Sequence, residues 1–205
     1  MIAILDYDAG NIRSVEKAVE ALGEKTVVTR DRHSILSADK VILPGVGAFG
    51  DAMARLKEYD LVDTIHEVVD KNTPFLGICL GLQLMFESSD ETPGVEGLGI
   101  LPGKILRIPD CEGLKIPHMG WNSLDIKPDQ PLFAGIPDQS YVYFVHSYYL
   151  KAANEEDVAA ATEYSTHIHA SVAHNNIFAC QFHPEKSGPV GLRILRAFCR
   201  LGGVL

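Results

Sequence analysis

A single cysteine in this chain stands between two glycines, in Gly77-Ile78-Cys79-Leu80-Gly81, directly after the apolar residues Phe75-Leu76. Where a buried strand meets a helix, a residue flanked in this way sits on a sharp turn that lifts its side chain above the sheet. This is the layout of a nucleophile elbow, with cysteine in place of serine. Glycines are required because larger side chains there would collide with the neighbouring strand and helix. A helix running from Leu80 through Leu82, Leu84, Met85 and Phe86 would aim backbone N–H groups at the sulfur and favour thiolate. The alternative for Cys79 is the fate of most free cysteines, a small buried hydrophobe.

A nucleophile needs a base, and the segment Gln181-Phe182-His183-Pro184-Glu185 offers one. The residue before a proline is pushed into extended conformations. In an extended chain, residues two apart point to the same side. Glu185 can therefore hold the His183 imidazole while it serves the thiol; otherwise the two are a surface histidine and a solvated glutamate. Acyl transfer also needs donors for a developing oxyanion. Pro44-Gly45-Val46-Gly47 follows an apolar run, at the strand edge where sites of open α/β sheets gather. The N–H groups of Val46 and Gly47 can turn toward such a site, with the N–H of Leu80 as a further donor. An ordinary tight turn is the alternative.

The elements that must position these groups alternate through the first ninety or so residues. Ile2-Ala3-Ile4-Leu5, Thr26-Val27-Val28-Thr29, Val41-Ile42-Leu43 and Phe75-Leu76-Gly77-Ile78 read as strands. Ile12, Val15, Ala18, Val19 and Leu22 recur at helical spacing, with Gly23 closing that helix, and a second helical stretch spans about Phe49 to Asp70. This alternation implies an open, mostly parallel sheet flanked by helices. After Gly97 the strand-like runs crowd together at 105–108, 124–126, 141–145, 168–172 and 177–181 and imply added antiparallel strands. Ile194, Leu195 and Phe198 mark a closing helix. No repeat or linker interrupts the chain, so one domain over residues 1–205 is expected.

With 46% hydrophobic and 22% charged residues, the composition is that of a globular protein rather than a disordered one. A net charge of -9 disfavours nucleic acid as a partner. The start is too short in apolar residues for a secretory signal, and no run approaches a membrane span of about 20 residues. Cys79, Cys111, Cys180 and Cys199 form no C-x-x-C pair and read as free thiols of a reducing, cytoplasmic setting. His167-x-His169 could bind a metal, yet no acidic or cysteine ligand lies nearby in sequence, and a solvated pair is the simpler reading. No cofactor and no metal are called for.

P-G-x-G at 44–47, G-x-C-L-G-x-Q at 77–83 and F-H-P-E at 182–185, in this order, resemble the class I (triad) glutamine amidotransferases along nearly the whole chain. The resemblance implies that Cys79 attacks the carboxamide of glutamine, that His183 protonates the leaving amine and then activates water, and that Glu185 orients His183. It also implies substrate contacts from Gln83, Glu91, Ser147 and Tyr148. Asp6-Tyr7 with Gly10–Val15, Pro117–Asn122 and Tyr143–Tyr148 are most similar to the branch that serves histidine biosynthesis. Those members pass ammonia to a (βα)8-barrel cyclase subunit in a heterodimer. One departure is Asp8, where the family more often has glycine after the tyrosine. Asn11, Arg13, His118, Trp121, Tyr143 and Lys186 are the expected partner contacts, Trp121 being the sole tryptophan and set in a loop-like M-G-W-N segment. The alternatives are a family member serving another pathway, a stand-alone γ-glutamyl hydrolase and a non-catalytic regulatory module.

Overall fold

The computed structural model describes residues 1–202; the last three residues of the expected domain span lie outside the described residues. Short apolar strands alternate with helices in the first half: β1 (Ile2–Leu5), α1 (Ile12–Glu20), β2 (Thr26–Thr29), α2 (Arg32–Leu36), β3 (Lys40–Leu43), α3 (Phe49–Glu58), α4 (Leu61–Asp70), β4 (Phe75–Ile78) and α5 (Leu80–Leu84). The second half is strand-rich: β5 (Ser88–Ser89), β6 (Gly103–Arg107), β7 (His118–Ser123), β8 (Asp125–Ile126), β9 (Tyr141–His146), β10 (Tyr148–Ala152), β11 (Val158–Tyr164), β12 (Thr166–His174), β13 (Ile177–Cys180) and the closing helix α6 (Gly188–Arg200).

Eight strands form the main sheet in the order β2-β1-β3-β4-β13-β12-β11-β8. From β2 to β13 neighbours pair in parallel, and from β13 to β8 they pair antiparallel. Alternate residues of the parallel strands feed two cores, because successive side chains leave opposite faces. Ala3, Leu5, Val41, Leu43 and Phe75 pack with α3 and α4 through Phe49, Met53, Leu56, Ile65 and Val68. Ile2, Ile4, Ile42, Leu76 and Ile78 pack with α1 and α6 through Val15, Val19, Ile194, Leu195 and Phe198. The fold is thus α/β, an open mostly parallel sheet flanked by helices with added antiparallel strands.

Three local expectations are corrected. The helical stretch from Phe49 to Asp70 is two helices, because Asp60 takes a left-handed conformation (φ 54°) that redirects the chain between them. The helix after Cys79 ends at Leu84, two residues short of Phe86. The M-G-W-N segment is not a loop but part of β7, which pairs antiparallel with β9 in a separate two-stranded ribbon. With one partner strand and no alternating apolar pattern, its signal in the sequence was weak.

Candidate active site

The site forms at the carboxyl ends of three adjacent parallel strands, with β4 in the centre between β3 and β13. Pro44-Gly45 leaves β3, Cys79 leaves β4, and Gln181 to His183 leave β13. In-register pairing of Leu43 with Gly77 and of Ile78 with Cys180 brings the three exits level. Cys79 has φ 54° and ψ −107°. Such a conformation costs about 1–3 kcal/mol for a residue other than glycine, and the surrounding structure must enforce it. The Cys79 N–H is tied to the Cys180 carbonyl at 2.8 Å. The flanking glycines are dictated by packing. A Cβ on Gly77 would lie 2.5 Å from the Met85 sulfur, and one on Gly81 would lie 1.9 Å from the Leu43 carbonyl oxygen. Cys79 is 7% exposed.

His183 and Glu185 have fully buried side chains, and His183 Nδ1 bonds Glu185 Oε1 at 2.7 Å. Their juxtaposition does not come from an extended chain, as the sequence suggested. Pro184–Lys186 is a 3-10 turn, and that turn carries Glu185 back under the imidazole. Asn11 Nδ2 donates to the same Glu185 oxygen at 3.1 Å. With Nδ1 facing the carboxylate, Nε2 is left buried and unpartnered among the described residues. Burial pushes the His183 imidazole down, but the adjacent Cys79 and Glu185 overcome this and raise it to about 9. The imidazole is therefore favoured in its protonated form at neutral pH.

The Pro44–Gly47 loop is held from below by Tyr7, whose hydroxyl donates to the Pro44 carbonyl at 2.5 Å. Burial, and then the charge of Cys79, push the Tyr7 phenol up, so it stays a neutral donor. A Cβ on Gly45 would strike the Tyr7 hydroxyl, at 2.4 Å, and the Leu80 side chain. Asp8, where glycine is commoner, has φ 66°. Aspartate tolerates this region, and its carboxylate is fixed by Tyr59 and Arg30. The Leu80 N–H donates to the Gly45 carbonyl at 3.3 Å. Carbonyl and N–H point to opposite sides of a trans peptide, so the Val46 N–H faces away from Leu80.

A cleft of about 390 Å³ opens above the elbow, lined by Val46, Gly47, Cys79, Leu80, Gln83, Glu91, Ser147 and Tyr148 among others. Every sequence candidate for the nucleophile, oxyanion donors and substrate contacts borders it, whereas the buried side chains of His183 and Glu185 are not part of its lining. Glu91 Oε2 accepts the Phe49 N–H at 2.7 Å and so anchors the start of α3. Sequence reasoning missed Gln181, whose Nε2 approaches the Cys79 sulfur at 3.7 Å. Its position two residues before His183 was the available signal.

The family model "Glutamine amidotransferase class-I" matches residues 3–200. The chain belongs to the class I glutamine amidotransferases. Among relatives of this amidotransferase, "Imidazole glycerol phosphate synthase subunit HisH" of Methanocaldococcus jannaschii is 50% identical over 201 residues, covering 98% of this chain and 100% of the relative. The protein of the same name from Thermosynechococcus vestitus is 51% identical, covering 98% of this chain and 96% of its own. A crystal structure titled as a glutamine amidotransferase superposes with a TM-score of 0.77 at 20% identity, covering 99% of both chains, and speaks to the fold alone.

Two expected partner contacts of this amidotransferase are corrected. Asn11 is 4% exposed and turned inward to Glu185, and His118 is 2% exposed, stacked on Tyr164 and Phe144. Neither side chain offers surface to a partner. Arg13 and Lys186 are exposed and Tyr143 is half-buried. Trp121 is 55% exposed beside Met119 at 62%, and it meets Tyr143 edge-on across the ribbon. His167 pairs with Glu163. His169 is buried, and its Nδ1 accepts the Ala152 N–H at 3.1 Å. No group of three or more metal-binding side chains occurs among the described residues.

Proposed function

We propose that this chain is the glutaminase subunit of an imidazole glycerol phosphate synthase, supplying ammonia to a (βα)8-barrel cyclase subunit. The single observation that carries the chemistry is His183, clamped at Nδ1 by Glu185 and free at Nε2, beside a cysteine on a strained elbow. Relatives of about 50% identity over 98% of the chain support the choice of pathway.

In this reading Cys79 attacks the side-chain carboxamide carbon of glutamine as a thiolate. The tetrahedral intermediate collapses as the C–N bond breaks and His183 gives its proton to the departing nitrogen, releasing ammonia and leaving a γ-glutamyl thioester. His183, now neutral, takes a proton from water. The hydroxide adds to the thioester, and the sulfur departs as thiolate with glutamate as the second product. Glu185 holds the imidazole throughout and stabilises its cationic form. No cofactor takes part.

The oxyanion donors are the step under control. With the Gly45 carbonyl on the Leu80 N–H, the site lacks two of its expected donors, Val46 and Leu80. Rotation of the Gly45–Val46 peptide would withdraw that carbonyl and bring the Val46 N–H inward, restoring both. Partner docking is the natural trigger, since hydrolysis without an acceptor wastes glutamine. Trp121, Met119 and Tyr143 form an exposed apolar patch on the ribbon. Trp121 also reaches Gly188, just past Lys186. Such a patch beside a site marks a docking face.

The test is to mix the chain with a (βα)8-barrel cyclase and follow glutamate release with and without the cyclase's nucleotide substrate. A stable complex with stimulated glutaminase supports the assignment. Full glutaminase activity of the chain alone, with no complex formed, would assign it instead to stand-alone hydrolysis.

A further inference from the structure

Hydrogen-bond directions around the nucleophile can be assigned one by one from a fixed starting point. A backbone carbonyl can only accept, so the Tyr148 carbonyl identifies the Gln83 atom lying 3.0 Å from it as the amide nitrogen. The same Nε2 lies 3.0 Å from Gln181 Oε1, which takes its second proton. Gln181 is fully buried and cannot turn to solvent. With its oxygen committed to Gln83, its NH2 group must face the Cys79 sulfur, at 3.7 Å. Reversing the Gln181 amide would oppose two NH2 groups on one side and set its oxygen against the sulfur on the other.

The starting point is itself secured. The Tyr148 carbonyl also accepts from His146 Nδ1 at 2.8 Å, and His146 Nε2 then receives His118 Nδ1 at 3.1 Å. Every member of the chain thus has one allowed orientation, and the chain ends in a donor aimed at sulfur. A neutral thiol gains little from such a donor, whereas a thiolate gains a charge-assisted hydrogen bond.

We propose that Gln181 is a catalytic residue that holds the Cys79 sulfur as a hydrogen-bonded thiolate, and that Gln83 is a positioning residue acting through it. The proposal rests on the reading of Cys79 as the nucleophile. In the first half-reaction Gln181 steadies the attacking thiolate. In the second it stabilises the same thiolate as the group leaving the thioester, so both steps use one contact. Gln83 keeps its Oε1 for other partners, and its presence on the cleft wall is compatible with a substrate contact as well.

The test uses the full chain carrying Cys111→Ser, because Cys111 is the exposed cysteine and Cys180 and Cys199 are buried. The rate of Cys79 carbamidomethylation by iodoacetamide is followed against pH, and glutaminase kinetics are measured in the complex with the cyclase. Gln181→Met should move the midpoint of alkylation up by about one pH unit, roughly tenfold slower reaction below the midpoint. Its kcat should fall while KM for glutamine stays within about twofold. Gln83→Leu frees the Gln181 amide to turn and should give a smaller loss, about threefold. In alkylation the double variant should be no slower than Gln181→Met, since the second residue works on the sulfur through the first. A wild-type midpoint in a folded Gln181→Met protein, or additive midpoint shifts in the double variant, would overturn the proposal. If Gln181→Met does not fold, an unchanged midpoint in Gln83→Leu overturns it alone. Failure of the underlying reading looks different: Cys79→Ala would then retain glutaminase activity whatever the alkylation profiles show.

Discussion

The backbone N–H of Leu80 donates to the carbonyl of Gly45 at 3.3 Å, so one expected oxyanion donor is occupied by the loop that should carry another. Gly47, with φ 109° and open space around it, gives that loop a free hinge on its far side. Gly45 is confined instead, between the Tyr7 hydroxyl and Leu80. A single peptide rotation between them separates the two states. Val46→Pro removes the N–H that would turn inward. It should lower glutaminase kcat of the activated complex by about 10²–10³-fold, the usual cost of one oxyanion donor. Complex formation, followed by calorimetry, should be unaffected. Stimulation by the cyclase equal to that of the unsubstituted chain would refute the gating role.

The pH dependence of glutaminase activity follows from His183. In the proposed mechanism its proton goes to the leaving amine, and Cys79 and Glu185 hold that proton up to a pH of about 9 against the opposing effect of burial. Activity should therefore fall as pH rises through about 9. Glu185→Gln removes a negative charge, which lowers the imidazole and moves this alkaline limb toward neutral pH. Loss of the orienting carboxylate should also cut kcat by roughly 10²–10⁴-fold. A pH–rate profile of kcat checks both, and an alkaline limb that stays in place argues against this assignment of His183.

Stability toward acid depends on buried histidines outside the proposed triad, His118 and His146 among them. Burial pushes His118 down to about 4 and His146 down to about 3. Below pH 6.5 the unfolded chain binds protons that the folded chain refuses, so folding stability falls on acidification through this window. The slope should reach about 1.4 kcal/mol per pH unit for each histidine involved. Urea unfolding at pH 7 and pH 5 measures it, and His118→Gln should flatten it. An identical slope in that variant would show that protons are taken up elsewhere.

Much of this was legible in the sequence because packing leaves few choices at the elbow. Gly77 and Gly81 touch Met85 and Leu43 so closely that no side chain fits, and the G-x-C-x-G pattern records that directly. The parallel strands were equally plain, since β1, β3 and β4 are short apolar runs bounded by turns. The ribbon was not. β7 owes its form to β9, a partner twenty or so residues away. β11 begins Val-Ala-Ala-Ala, which carries little strand preference of its own. Asn11 was expected among the partner contacts; only the return of the 3-10 turn at Glu185 gives it a buried partner within the chain. Gln181 was passed over for a similar reason, as its role depends on Gln83 nearly a hundred residues earlier.

The docking face is tested at the ribbon. Trp121 is more than half exposed and braced by Tyr143, and Lys186 lies on the 3-10 turn that carries Glu185. Trp121→Ala should weaken binding of the cyclase by about 2 kcal/mol or more. Lys186→Ala should cost about 2–5 kcal/mol where the lysine becomes buried against a partner acid. Both substitutions are at exposed positions and should leave the melting temperature unchanged. Titration calorimetry decides it, and unchanged affinity in both variants would move the docking face elsewhere.

In the proposed function Cys79 makes ammonia which a partner consumes. The most direct measurement of this is product formation by the complex of the Cys79→Ala chain with the cyclase, supplied in turn with glutamine and with an ammonium salt. No product is expected from glutamine and near-normal product from ammonium, because the proposed acceptor site lies on the partner. Glutamine-dependent turnover close to that of the unsubstituted complex would contradict it.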